Sequence, residues 1–555
     1  MRHGGEVIAR WLAAAGVERL FSVPGESFLA LLDGLHDGPI ANIVCRHEGA
    51  AAMMAAAHAR LTGQPGVVVV TRGPGATNAS AGLHVAMQDS LPVIALIGQV
   101  ARAERDRESF QELDYRRFLS PLVKWVGEVD EPARLPEYLA RAWHLARAGR
   151  PGPVALALPE DVLSAPAPEA ALLPPAALPG AAVAPDETAA VAERLDRAER
   201  PLVILGGSLW SAAAAADLAR LAEARALPVA AAFRRQDMFD NRHAAYAGDL
   251  GVGMNPALGA RLGEADLLLV LGARLDAPTT GGWRRLDPAR AHPPLIHVHP
   301  DPDMPGRNFR PELAIARPPA PLVSALAGMP VPGPSQARRD WQAALRADYE
   351  AWSRPARPSP GAVRLEEVVL WLSDTLPDDA ILTNGAGNYA AFLHRFFRYR
   401  RLGTQLAPTS GSMGFALPAA IAASLARPDA TVVCFTGDGD LQMTVAELAT
   451  AAAEGARPIV IVANNGQYGT IRMHQELHYP GRVSGTGLGN PDFAALARAY
   501  GGHGERVEDG ADFPAAFARA RAAGSFALID LALSPEALST TMTLAEARAA
   551  GSRRG

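Results

Sequence analysis

The sequence predicts an α/β protein built as three doubly wound, parallel-sheet domains, and three observations carry that expectation. Short apolar runs alternate with longer helical patterns along the whole chain, as parallel strands joined by helices require. Several of those runs, Val67–Val70 and Ile459–Val462 among them, are apolar at every position and read as strands buried on both faces. Two stretches break the pattern and read as linkers: Ser164–Pro185, almost wholly Ala, Pro and Leu, and Pro318 to about Pro360, rich in Pro, Ser and Arg around one amphipathic patch. At 555 residues the chain is too long for one core, and the linkers divide it into 1–165, 186–330 and 360–540, each an ordinary domain length.

In the first block, strands are expected at Gly66–Thr71, Pro92–Ile97 and Pro153–Leu158, with an alanine-rich helix at Gly49–Leu61. Its small side chains suggest close helix packing, as at a subunit interface. The second block offers Pro201–Leu205, Asp266–Leu271 and Leu295–His299; the third offers Thr431–Thr436, Pro458–Ala463 and Phe526–Leu531, with a helix over Leu441–Glu454. Blocks one and three each carry a strand running into a glycine turn, Thr71-Arg72-Gly73-Pro74-Gly75 and Thr436-Gly437-Asp438-Gly439, which suggests similar folds.

Composition removes several function classes. The chain is 49% hydrophobic and 20% charged with a net charge of -5, and no basic stripe interleaved with aromatics marks a nucleic-acid surface. Glu6 and Arg10 interrupt the first residues, so they do not read as a signal peptide, and Leu406–Ala426, though uncharged, carries Pro408, Gly411, Gly414 and Pro418 and reads as a buried turn and helix. Cys45 and Cys434 sit beside apolar segments and read as buried thiols, which fits a cytoplasmic setting. Lys124 is the only lysine and precedes Trp125, so a P-loop is excluded and a pyridoxal Schiff base is disfavoured.

The chemistry concentrates in two places. Gly437-Asp438-Gly439-Asp440 follows one expected strand and opens a helix, and Asn464-Asn465-Gly466 ends the next strand. Adjacent parallel strands bring those ends together, with backbone N–H groups and a positive helix end facing any phosphate. A carboxylate, an amide oxygen and close-approach glycines suit Mg²⁺ gripping a diphosphate. A dinucleotide loop would need glycine at 442, where Gln442 stands. The second place is Arg46-His47-Glu48. Taken alone, Glu48 reads as a helix N-terminal charge.

With these residues in view the chain resembles the thiamine-diphosphate (ThDP) enzymes of the acetolactate synthase group. The likeness runs through Arg46-His47-Glu48, Gly63 to Asn78, Gly98-Gln99-Val100, Phe110-Gln111-Glu112, Lys124-Trp125, Gly149 to Val154, Gly411-Ser412-Met413-Gly414 and the metal motif, in order over nearly the whole chain. It implies pyrimidine-binding, central and diphosphate-binding domains in the order of the three blocks. It assigns Glu48 to the aminopyrimidine ring, and Asp438, the Asn465 side chain and the Gln467 main-chain oxygen to Mg²⁺. Met413 would bend the cofactor, with Gly437, Gly439, Asp440, Asn388, Gly73 and Asn78 also against it. Gln111 and Glu26 are the further catalytic candidates. Glu26 reads equally as a helix N-terminal carboxylate. His47 and His84 could act as general acid or base groups.

The resemblance further implies a homodimer or homotetramer in which Glu48 and the metal motif of one site come from different subunits, acting on small 2-oxoacids. FAD is a possible occupant of the central block, at Gly206-Gly207-Ser208, Gly272-Ala273-Arg274-Leu275-Asp276 and His297-Val298-His299-Pro300-Asp301. The chain departs from the family pattern at Gly49, at Gly387-Asn388-Tyr389, at Glu160 (lysine in the family) and at His474 (tryptophan in the family). Phe110, Glu160 and His474 are therefore the specificity candidates. The implied reaction is decarboxylation of a 2-oxoacid with carboligation to a second carbonyl. A non-carboligating decarboxylase or C–C lyase is the rival, and a catalytically silent cofactor-binding partner protein is a third reading.

Overall fold

The computed structural model describes residues 2–167, 175–178 and 180–553. Three six-stranded parallel sheets, each flanked by helices, stand in the order of the three sequence blocks. In the N-terminal sheet the strands run in spatial order Ala41–Val44, Arg19–Ser22, Gly66–Val70, Val93–Gln99, Val154–Pro159, Val126–Glu128, which is 2-1-3-4-6-5 in chain order. The C-terminal sheet, from Gln405–Leu406 through Ile381–Asn384, Val432–Gly437, Ile459–Asn464 and Ala527–Ala532 to His503–Val507, has the same 2-1-3-4-6-5 order. The central sheet, Tyr246–Asp249, Val229–Ala231, Pro201–Leu205, Leu267–Leu271, Leu295–Val298, Leu313–Ile315, is 3-2-1-4-5-6. The continuous apolar runs are the inner strands of these sheets, buried at every residue in Gly66–Val70 and Pro201–Leu205.

Two expectations are revised. The helix expected over Leu441–Glu454 is broken into Asp438–Gln442, a single 3-10 turn at Val445–Glu447 and Leu448–Glu454, because the chain turns at Thr444. The second linker is largely helical: Pro319–Ala327 and Gln336–Trp352 lie within it, and the latter buries Trp341, Leu345 and Tyr349. Trp341 and Leu345 join one hydrophobic cluster of the central block and Tyr349 the other, so the amphipathic patch is part of that core. The first linker lies partly outside the described residues, and at its start Pro166–Ala167 pairs antiparallel with Arg2–His3.

The alanine-rich helix, Glu48–Thr62, packs within the chain. Its small face meets the equally small-sided helix Ala416–Ala426 of the C-terminal block, and both belong to one hydrophobic cluster. Ala52 lies close enough to Gly82 of the helix Gly73–Asp89 that a methyl group there would overlap it at 2.4 Å. Among the described residues, no helix is long and apolar enough to cross a membrane.

Candidate functional site

The C-terminal ends of the C-terminal sheet form a cleft. Strand Val432–Gly437 passes directly into the helix Asp438–Gln442, and the next strand ends at Asn464 in a turn with Gly466 at φ +67°. A Cβ at Gly437 would stand 2.9 Å from the Tyr389 ring, and one at Gly439 would stand 2.5 Å from the Tyr468 ring, so both glycines are fixed by close approach. Asn388, Met413, Asp438, Asn465 and Gln467 line the cleft together with this turn.

Asp438 is buried, 3% exposed, and accepts hydrogen bonds from Gly439 N, Gly466 N and Asn490 Nδ2 at 2.8–2.9 Å. Burial pushes its carboxyl above the usual carboxylate range, and these three bonds pull back. Its hydrogen-bond partners among the described residues are neutral N–H groups, a setting in which a bound cation would relieve the cost of burying the anion. The Asp438 carboxylate and the Asn465 amide oxygen are hard-oxygen donors of the kind that suits a small divalent cation beside phosphate. Asp440 faces inward instead. Its carboxylate takes the hydroxyl of Tyr389, the N–H of Gly414 and the N–H of Ala386, and burial pushes it up to about 6. It therefore fastens the walls of the cleft. Asn388 is also committed, donating to Leu538 O and accepting from Thr470 Oγ1, both at 3.0 Å.

The N-terminal sheet gathers a second set at the same end of its strands. Glu26 follows the strand Arg19–Ser22, Glu48 follows Ala41–Val44, Arg72 and Gly73 follow Gly66–Val70, Phe110 and Gln111 follow Val93–Gln99, and Glu160 follows Val154–Pro159. Glu48 opens its helix behind His47, whose Nδ1 accepts from Gly49 N. Asn78 Nδ2 donates to Glu48 Oε2 at 2.9 Å. Gly73 N donates to Gln111 O at 2.9 Å, and Gln111, Glu108 and Asp106 all hold left-handed φ values of 53–64°, a strained loop that presents Phe110 at 72% exposure.

Three residues in this region were not singled out from sequence. Buried Arg72 donates to Glu26 at 2.6 Å and lies 3.9 Å from Glu160, joining two of the candidates. Fully buried Glu447 of the C-terminal block accepts from the N–H groups of both Arg46 and His47 at 3.0 Å and so fixes the turn that carries Glu48. Tyr389, noted from sequence only as a departure from a pattern, fastens Asp440. A buried arginine within a glycine-rich turn was a visible signal; nothing in the sequence marked Glu447.

Not every candidate falls at these faces. His474 is exposed and stacks on His478, because the helix Gly469–His478 leaves the cleft after its first turn; Gly469, Thr470 and Ile471 are the helix residues that line it. His84 points to solvent. Among the described residues, the lining of the cleft comes wholly from 365–538, and neither Glu48 nor any other residue of the N-terminal face contributes. In the central block, the backbones at Gly207 and Gly272 abut, a Cβ at Gly207 falling 2.2 Å from Gly272 O, and His297 Nε2 pairs with Ala273 O.

Comparison with known proteins matches these three regions separately. The thiamine pyrophosphate enzyme N-terminal TPP binding domain matches residues 2–118, the central domain 188–326 and the C-terminal TPP binding domain 385–531. The chain is 34% identical over 518 residues to the acetolactate synthase large subunit of Parasynechococcus marenigrum, covering 91% of this chain and 83% of that one. It is 32% identical over 513 residues to the acetolactate synthase isozyme 2 large subunit of Escherichia coli, covering 91% of each. Among solved structures, the Rhodococcus jostii RHA1 thiamine diphosphate-dependent 4-hydroxybenzoylformate decarboxylase superposes with a TM-score of 0.82 at 27% identity, over 96% of this chain and 99% of that one.

Proposed function

The chain belongs to the thiamine pyrophosphate enzymes, and from that premise we propose that it decarboxylates a pyruvate-like 2-oxoacid and joins the remaining acyl carbon to a second carbonyl, as an acetolactate synthase does. The observation that carries the reading is the glycine-walled cleft with buried Asp438 at its base and Asn465 beside it. ThDP, when bound, supplies the electron sink that makes loss of CO₂ from a 2-oxoacid feasible.

The protein's part is to hold and orient. Asp438, the Asn465 amide oxygen and the Gln467 main-chain oxygen would carry Mg²⁺, with the Gly437–Gly439 turn offering N–H groups to the diphosphate. Met413 would support the cofactor from the opposite wall. Glu48 would be the group that exchanges a proton with the aminopyrimidine ring: Asn78 occupies Oε2, so Oε1 would face the ring. Gln111, Glu26 and Phe110 would stand on the substrate side, with Glu160 tuning charge there through Arg72.

Because the cleft draws no lining residue from the N-terminal face, the reading includes a homodimer or higher homo-oligomer in which one copy supplies the cleft and its partner supplies Glu48. FAD, in this reading, would sit at the strand-end turns of the central block, and the absorbance spectrum of the purified protein tests it.

The likeness to a decarboxylase supports a second reading, in which a proton replaces the second carbonyl and an aldehyde is released. Incubation with pyruvate, ThDP and Mg²⁺, scoring CO₂, acetolactate and acetaldehyde, separates the two. Acetolactate supports the synthase reading, and aldehyde alone supports the decarboxylase. Absence of ThDP binding contradicts both.

A further inference from the structure

The loop Pro408–Gly414 carries Met413 into the cleft, and its two ends are held by different parts of the molecule. At the far end, Gly414 N donates to Asp440 and Gly414 O accepts from Thr444 Oγ1, both within the C-terminal block. At the near end the anchors come from the other two blocks. Arg234 of the central block donates from Nη1 to Pro408 O at 2.6 Å, and Asp89 of the N-terminal block accepts from Thr409 N at 3.1 Å. Arg235 closes the arrangement, donating to Asp89 Oδ1 at 2.6 Å, to Arg234 O at 2.8 Å and to Gly207 O at 3.3 Å. Between the anchors, Ser410 to Met413 remains half-buried or exposed.

The cost of this arrangement argues that it is maintained for a purpose. Arg234, Arg235 and Asp89 are each 3–4% exposed, and Arg234 holds φ +59°, a left-handed conformation that side chains other than glycine and asparagine avoid. Burial draws the Arg234 guanidinium below its ordinary pKa, opposed by the acidic groups around it, Tyr389, Asp89 and Asp440. Two buried charged side chains from two blocks meet two consecutive backbone groups of a third, four to five residues before Met413, and a third buried charge, Arg235, ties them together.

We infer that Arg234 and Asp89, locked by Arg235, are positioning residues that pre-set the Met413 loop for ThDP. This rests on the proposed cofactor site. A loop already fixed in its bound shape costs less to order on binding, so loosening either anchor weakens ThDP binding without removing any group that touches it.

The chain contains a control that feels the charges of Asp89 and Arg235 but shares no hydrogen bond with either or with the 408–414 loop. Arg60 and Asp237 form another buried ion pair between the N-terminal and central blocks, at 3.2 Å, and Asp237 also accepts from Gly403 and Gln405 of the C-terminal block but touches nothing in 408–414. The test is calorimetric ThDP titration in Mg²⁺, with melting temperature measured in parallel, on wild type, Arg234→Met, Arg234→Lys, Asp89→Asn and Arg60→Met. Arg234→Met and Asp89→Asn are expected to raise the ThDP Kd by about tenfold. Arg234→Lys, which keeps a donor for Pro408 O, recovers part of that loss, and Arg60→Met lowers the melting temperature with Kd changed less than about twofold. Unchanged Kd in Arg234→Met and Asp89→Asn overturns the inference. So does a loss of binding in Arg60→Met that tracks its loss of stability. Wild-type protein that takes up no ThDP overturns the functional reading itself, and this inference with it.

Discussion

The N-terminal and C-terminal sheets share one strand order and differ in what stands at their strand ends. In both, the loops after the first, third and fourth strands, which are neighbours in the sheet, lie side by side at the C-terminal end of the strands. In the C-terminal sheet those loops are Ala386–Tyr389, Gly437–Asp440 and Asn465–Gln467, glycine-walled around a buried acid. In the N-terminal sheet they hold Glu26, Arg72–Gly73 and Phe110–Gln111, with Glu48 after the second strand and Glu160 after the sixth. The topology supplies a place where ligands can bind, and the loop side chains decide whether that place holds an anion and a cation or presents acids to a reacting partner.

The sharpest way to break that comparison is to remove the buried acid. Asp438→Ala is expected to raise the ThDP Kd in Mg²⁺ by about a hundredfold or more and to abolish the thermal stabilisation that ThDP gives. Unchanged binding would show that the cleft is not the diphosphate site. Glu48→Gln addresses the other face: turnover should fall by about 10²–10⁴, while ThDP affinity stays within a few-fold of wild type. A parallel collapse of affinity would make Glu48 a binding group and erase the division of labour.

A smaller effect is expected at Asn78. Asn78→Ala removes a hydrogen bond to a charged group, of about 1.5–3 kcal/mol, and should lower turnover by about tenfold with Mg²⁺ dependence unaltered. Tyr389→Phe strips a hydroxyl from Asp440 and from Gly385 N and is expected to cost about 1.5–3 kcal/mol of stability in urea unfolding.

Much of this was legible in the sequence. Gly437-Asp438-Gly439 and Asn465 were visible because close approach and hard-oxygen chemistry restrict residue type, and the inner strands because burial on both faces leaves an unbroken apolar run. What was not legible depends on long-range packing. Glu447 fixes the Glu48 turn from about 400 positions away, Arg72 joins Glu26 to Glu160 across three loops, and the amphipathic Gln336–Trp352 looked like linker because proline-rich ends mask a core helix. The small side chains of the alanine helix showed in the sequence that it packs closely, and its small-sided neighbour within the chain is Ala416–Ala426.

The smallest expected effect concerns the central block that joins the two faces. Burial pushes Asp249 up to about 7. Its folded pKa lies above its unfolded one, so the native state retains the proton longer. Stability is therefore lost as pH rises from about 4 to about 7. Asp249→Asn cannot ionise, and its melting temperature should gain on wild type across that window. A constant difference between the two would remove Asp249 from the account.

The central claim is that one chain's cleft works with another chain's Glu48, and mixing two dead variants tests it most directly. Glu48→Gln and Asp438→Ala protein, each inactive with ThDP, Mg²⁺ and substrate, are unfolded and refolded together. In randomly reassorted dimers half are mixed, and each mixed dimer has one site with both groups intact, so about a quarter of wild-type activity should return. Activity that stays at the level of the separate variants, with mixed dimers shown to have formed, would place Glu48 and Asp438 of one site on the same chain and contradict the account.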